Sequence, residues 1–133
     1  MTKFLFLILC SFFALMCSNE KKVTMNKFDE KFYTSGKLDP CDCNNKSIEL
    51  INRSIKTRKS FSSIKELKSD QKAKKHISKI AKVYVKLAEK CFEKNATNLF
   101  IPSDCNDVKF LEQKQNELFA LGIRLNQGAK VWK

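Results

Sequence analysis

The chain has 133 residues and six cysteines, four of which lie beyond its N-terminal region. Thiols at Cys41, Cys43, Cys91 and Cys105 pair as disulfides in an oxidising compartment, or bind zinc or copper(I) as thiolates. An even number of cysteines favours disulfides. A zinc site more often uses cysteine pairs with two intervening residues than the Cys-x-Cys found here. We therefore expect disulfides and no metal or other cofactor, with a four-thiolate metal site and unpaired, redox-active thiols as the alternatives.

Residues suited to catalysis are scarce. His76 is the only histidine, and it lies in a lysine-rich stretch just before Ile77, where we expect it to face solvent. The sequence contains no phosphate-binding loop and no Gly-x-Ser-x-Gly nucleophile motif. These observations predict that the protein is not an enzyme.

The charge of the chain is strongly basic, with a formal net charge of +12. Residues 53–94 contain 14 basic and 4 acidic residues, a net charge of +10. Six lysines of this stretch are candidates for binding an anionic glycan, lipid or nucleic acid: Lys74, Lys75, Lys79, Lys82, Lys86 and Lys90. The basic residues are 23 Lys and 3 Arg, however, whereas dedicated phosphate-binding sites favour arginine. The composition therefore favours a solvated basic face over an anion-binding one.

The N-terminus has the pattern of an export signal. Lys3 precedes an apolar run from Phe4 to Met16, which is shorter than the roughly 20 residues that cross a membrane as a helix. The run ends at Cys17, and the residues after it are polar, as in the lipobox of bacterial lipoproteins. We predict a signal peptide over 1–16 and lipid attachment at Cys17. Ordinary signal-peptidase cleavage near this position is the alternative, and the glycosylation sequons at Asn45, Asn52 and Asn95 give it some support.

The rest of the chain predicts an all-α fold. Residues 17–40 are polar and lack sustained periodicity, so we expect a flexible, lipid-anchored tether. A helical domain is expected over 41–128. The aromatic residues of the tether could pack against that domain. We expect a small up-down bundle of about three main helices cross-linked by disulfides, followed by a C-terminal tail over 129–133. The predicted helices begin near Lys46, near Ser60 or Ser62, at Asp70 and at Asp104; the third ends at Lys94, and the last ends at Asn126, before Gly128. Leu99, Phe100 and Ile101, between the last two helices, are expected to fill one end of the core.

This topology brings all four cysteines to one end of the bundle. In one arrangement, Cys91 pairs with Cys105. In the other, Cys41 and Cys43 each pair with one of the two later cysteines, Cys91 and Cys105. The second arrangement is favoured, because a bond between Cys41 and Cys43 would close a strained ring.

The chain resembles small helical lipoproteins of Bacteroidetes. The resemblance rests on the leader, Cys17, the polar tether, the segment from Asp39 to Cys43 and the two later cysteines. It implies a lipoprotein of the cell envelope, on a periplasmic or surface face, with the lipid anchor in a membrane. The function expected is to bind another envelope protein or to serve a structural role. The alternatives are a secreted basic module for anionic glycan, lipid or nucleic acid, and a cationic effector that disturbs membranes.

Overall fold

The structure is a computed structural model that describes residues 28–127 and 130–133. Apart from two isolated bridges, these residues form helices and no β-strand. The elements are α1 (Glu30–Thr34), α2 (Pro40–Lys59), α3 (Ile64–Ser69), α4 (Gln71–Asn95), a 3-10 helix (Ala96–Phe100) and α5 (Val108–Ala120). The predicted signal peptide, Cys17 and Gly128 lie outside the described residues.

Three main helices, α2, α4 and α5, build the bundle. A disulfide joins Cys43 in the first turn of α2 to Cys91 near the end of α4, so these two helices run antiparallel. Asn44 donates a hydrogen bond to the carbonyl of Asp107 where α5 begins. Arg58 donates one to the carbonyl of Leu121 where α5 ends, so α5 runs parallel to α2. The predicted up-down bundle cross-linked by disulfides is therefore confirmed.

The apolar stripe of α4 forms the centre of the core. Six of its buried positions recur at helical spacing: Ala73, Ile77, Ile80, Tyr84, Leu87 and Cys91. Leu50 and Ile51 of α2 and Leu118 of α5 pack into the same cluster. Asp70 begins the helix as predicted, because its carboxylate accepts hydrogen bonds from the amides of Lys72 and Ala73.

The start of α2 lies earlier than the sequence analysis expected. The helix begins at Pro40 and not near Lys46. Asp39 is its N-cap, since its carboxylate accepts a hydrogen bond from the amide of Asp42 at 2.8 Å. Proline suits the first position of a helix, where no backbone donor is needed. Asp39 and Pro40 therefore mark the start of α2 in the sequence.

The end of α5 was also predicted wrongly, because the helix stops at Ala120 and not at Asn126. Gly122 has a φ of +89°, the left-handed conformation that ends many helices. The amides of Gly122 and Ile123 donate to the carbonyls of Phe119 and Leu118, which completes a Schellman motif. The chain then turns, so that Ile123 is buried in the core as part of a loop.

The segment predicted as a tether is folded over its second half. Residues 28–39, here called the N-terminal segment, pack onto the bundle through Tyr33 and Leu38, which are 2% and 8% exposed. The Tyr33 hydroxyl donates to Glu49 at 2.6 Å. Burial, together with this hydrogen bond, raises the pKa of Tyr33 to about 12. The folded domain therefore begins well before Cys41, since the aromatic side chains do pack back.

Candidate functional site

Two disulfides join the elements that meet at one end of the bundle. Cys41 pairs with Cys105, and Cys43 pairs with Cys91, with Cα–Cα distances of 5.2 and 6.1 Å. This is the arrangement that the topology favoured. A four-thiolate metal site would require these cysteines to be reduced. The bonds fix the start of α2, the end of α4 and the loop that leads into α5, so we call this region the disulfide end.

The disulfide end carries an exposed apolar surface. Phe92, in the last turn of α4, is 54% exposed, and Phe100 and Ile101, in and after the 3-10 helix, are 63% and 60% exposed. The prediction that Phe100 and Ile101 fill the core is therefore wrong, whereas Leu99 does pack against it. We call these three exposed residues the apolar surface. Half-exposed phenylalanines at one end of a small domain are typical of contact sites for other molecules.

Two side-chain amides, one buried and one half-buried, hold the loop that presents the apolar surface. The amide nitrogen of Asn106, which is 2% exposed, donates to the carbonyls of Leu99 and Ile101 at 3.0 and 2.9 Å. The amide nitrogen of Asn95 donates to the carbonyls of Leu38 and Cys91. Together with the disulfides, these bonds hold Phe100 and Ile101 at a defined position before any partner binds. No signal in the sequence marks Asn106 for this role.

The lysines proposed for anion binding fall into two groups. All six are exposed: Lys74, Lys75, Lys79, Lys82, Lys86 and Lys90. Three of them hold the N-terminal segment against α4. Lys86 forms an ion pair with Glu30 at 2.6 Å, Lys90 donates to the carbonyl of Thr34, and the ammonium of Lys79 lies 5.3 Å from the ring centroid of Phe28.

The side chains of the other three, Lys74, Lys75 and Lys82, form no hydrogen bond or ion pair with any residue between 28 and 127 or 130 and 133. Lys82 lines a shallow groove of about 620 Å³ together with Val131 and Trp132 of the C-terminal segment. The same groove is lined by Glu30 and Glu89, whose carboxylates offset part of the positive charge of Lys82. The structure therefore leaves half of the predicted lysines open to a ligand and uses the other half internally.

His76 is partly buried, not fully solvent-facing as expected, because Phe28 packs edge-on against its ring with the centroids 6.2 Å apart. Burial, together with the positive charges of Arg53 and Lys79, lowers the pKa of His76. The imidazole is therefore neutral near pH 7. The imidazole contacts Phe28 of the N-terminal segment. Cys91, which lies near the end of the same helix, is in a disulfide with Cys43.

Over the described parts of the chain, no cluster of three or more His, Cys, Asp or Glu side chains is arranged to bind a metal. None of the helices in these parts combines the length and hydropathy that a bilayer-spanning helix requires. Comparison of the chain with protein-family models, curated proteins and solved structures finds no match.

Proposed function

We propose that the protein is a membrane-anchored, non-enzymatic lipoprotein of the cell envelope whose disulfide end binds another envelope protein. The observation that carries the proposal is the apolar surface, Phe92, Phe100 and Ile101, which is exposed at the end of the fold that two disulfides cross-link. A surface that is fixed before binding loses little conformational entropy when a partner covers it. Aromatic side chains are also enriched among the residues that dominate binding energies.

The disulfides and the N-terminal sequence support the cellular location. Disulfides form and persist outside the cytosol, and both pairs here join residues far apart in sequence, by 64 and 48 positions. The apolar run up to Met16 and the polar residues after Cys17 supply the export signal and the anchor of this proposal. A lipid on Cys17 would leave residues 18–27 between the membrane and the N-terminal segment.

Photo-crosslinking in living cells tests the partner. Phe100 is replaced by benzoylphenylalanine, which keeps an aromatic ring at this position, in the full chain with its own leader. The matched control carries the same group at Lys75, which is exposed near the start of α4, whereas Cys91 lies near the end of that helix. We expect one discrete crosslinked envelope protein at position 100 and none at position 75. Absence of a crosslink at position 100, or the same products at both positions, would overturn the proposal.

A second candidate function, anion binding, is supported by Lys74, Lys75 and Lys82, which lack partners among the described residues. Retention on immobilised heparin tests it. The Lys74→Gln, Lys75→Gln, Lys82→Gln variant is compared with a variant that loses the same charge at other exposed lysines, Lys65, Lys109 and Lys130. A binding face predicts that the first variant elutes at clearly lower salt than the second, since each lost phosphate-type contact reduces the salt dependence. Equal elution of the two variants would show only a general attraction by net charge.

A further inference from the structure

A small pocket lies in the bundle, and none of its lining residues belongs to the N-terminal segment. It has a volume of about 300 Å³ and is lined by residues of α2, α4, α5 and the loop after α5. Ile51, Leu118 and Leu125 contribute apolar walls. The size is at the lower limit of small-molecule sites and is too small for a protein segment of any length.

Arg124 lines this pocket and has one unsatisfied hydrogen-bond donor. Its Nη1 donates to Gln127 Oε1 at 3.3 Å, whereas its Nε is buried and has no hydrogen-bond partner within residues 28–127 and 130–133. Carboxylates usually bind a guanidinium along the edge that contains Nε and Nη2, and Nη1 lies on the other edge. A buried donor without an acceptor is costly, so a ligand oxygen that reached the Nε–H of Arg124 would remove that cost.

The guanidinium is held in a fixed position. The backbone amide of Arg124 donates to the carbonyl of Val131 at 2.7 Å, which ties the loop to the C-terminal segment. The guanidinium carbon lies 4.4 Å from the ring centroid of Phe119. The ammonium of Lys133 lies at the same distance from that ring, so two cations share one aromatic side chain.

The charges around the pocket are not balanced by acidic residues. None of the residues that line it is Asp or Glu. The nearest acidic residue in sequence, Glu117, forms ion pairs with Lys59 and Lys114. An anion in the pocket would therefore meet Arg124 without competition from a carboxylate of the lining.

Tyr84 offers a second donor. Its side chain is buried, and its hydroxyl oxygen accepts a hydrogen bond from Gln115 at 2.8 Å. Because the hydroxyl oxygen accepts in this bond, its hydrogen remains available as a donor, and both Tyr84 and Gln115 line the pocket. Arg124 and Tyr84 together provide donors for two oxygens, while Ile51, Leu118 and Leu125 provide an apolar wall.

We propose that this pocket binds a small monocarboxylate with an apolar body, whose carboxylate accepts hydrogen bonds from Arg124 and whose apolar part packs on Leu118 and Leu125. The planar carboxylate matches the edge of a single guanidinium. The site lies away from the disulfide end, so ligand binding here does not depend on whether the disulfide end binds a protein.

Titration by NMR of the full chain with both disulfides formed tests the site. The probes are phenylacetate and its neutral counterpart phenylacetamide, which have nearly the same shape. We expect phenylacetate to shift the Arg124 Nε–H signal and the backbone amides of Leu125 and Gln127, and phenylacetamide to bind at least about tenfold more weakly because it lacks the charge. This comparison needs no variant and so remains decisive if a substitution disturbs folding.

The Arg124→Gln variant should bind phenylacetate at least about tenfold more weakly than the natural chain, and Arg124→Lys should lie between them. Arg53→Gln removes the same charge from an arginine of α2 that does not line the pocket, and it should leave binding unchanged. The proposal is overturned if phenylacetate causes no shift up to about 10 mM. It is equally overturned if phenylacetamide binds as well as phenylacetate, or if a folded Arg124→Gln variant binds like the natural chain.

Discussion

Lys46 and Asp42 show how single side chains fix the N-terminal segment. Lys46 is 7% exposed, and its ammonium donates to Asp42 at 2.8 Å and to the carbonyl of Ser35 at 2.7 Å. Asp42 also accepts a hydrogen bond from the amide of Leu38. The two charges thus bridge the turn between α1 and α2. The sequence does not single out Lys46 among 23 lysines, because its role depends on a turn that only the folded chain forms.

Replacement of Asp42 by Asn should make the stability of the domain less sensitive to acid. Burial alone would raise the pKa of Asp42, but Lys46 and the amide of Leu38 outweigh it and lower the pKa. A lowered pKa means that the carboxylate stabilises the fold above the unfolded-state pKa of about 3.9, and that this contribution is lost as the pH falls below that value. We expect Asp42→Asn to cost about 1–2 kcal/mol at pH 7 and to flatten the acid side of the stability curve.

Urea unfolding at several pH values between neutral and acidic measures this effect. The control is Asp104→Asn, which removes an exposed carboxylate from the loop before α5. Parallel curves for Asp42→Asn and the natural chain would show that the Asp42 contacts do not contribute to stability.

At the scale of elements, the sequence predicts the middle of each helix better than its ends. The stripe of α4 is unambiguous, because six apolar positions repeat over most of 25 residues. The ends depend on single residues that have several possible roles. Asparagine is a common N-cap residue, but Asn44 is buried and donates a hydrogen bond to the carbonyl of Asp107. Asp39 is the N-cap of α2. Apolar residues continue past Ala120 because the loop is buried, so periodicity alone extends α5 too far.

Gly122 should be a sensitive position, because its φ of +89° is unfavourable for any residue with a Cβ. A Cβ there would also lie 3.4 Å from Ile64. We expect Gly122→Ala to destabilise the domain by about 1 kcal/mol or more, and Gly122→Asn to cost less, since asparagine tolerates this conformation better. Thermal unfolding followed by circular dichroism measures the difference. Equal stability of Gly122→Ala and the natural chain would contradict the assigned end of α5.

At the scale of the whole molecule, the two disulfides differ in accessibility. Cys105 is exposed, whereas Cys43 and Cys91 are 4% and 3% exposed. We expect mild reduction of the native protein to open Cys41–Cys105 first, because the reductant must reach a sulfur atom. Alkylation under native conditions, followed by peptide mass spectrometry, identifies the cysteines that react. Earlier labelling of Cys43 and Cys91 would show that the bundle opens at its core before its edge.

The whole-molecule arrangement also explains which parts of the candidate sites the sequence predicts. The four cysteines lie near helix ends, and they predict that the disulfides share one end of the bundle. In an up-down bundle, the end of one helix lies beside the start of the next. Phe100 and Ile101 give no such indication, since an apolar loop residue has the same sequence pattern whether it fills the core or faces solvent. The Arg124 pocket is assembled from residues of α2, α4, α5 and the following loop, so no local motif marks it.

Intact mass spectrometry of the full chain, expressed with its own leader in a Gram-negative host, tests the proposed anchored, disulfide-linked protein most directly. Samples are compared with and without reduction and alkylation. We expect a chain that begins at Cys17 and carries diacylglyceryl and acyl groups, with four further thiols that react only after reduction. An unlipidated chain that begins elsewhere, or four thiols that react before reduction, would contradict the proposal.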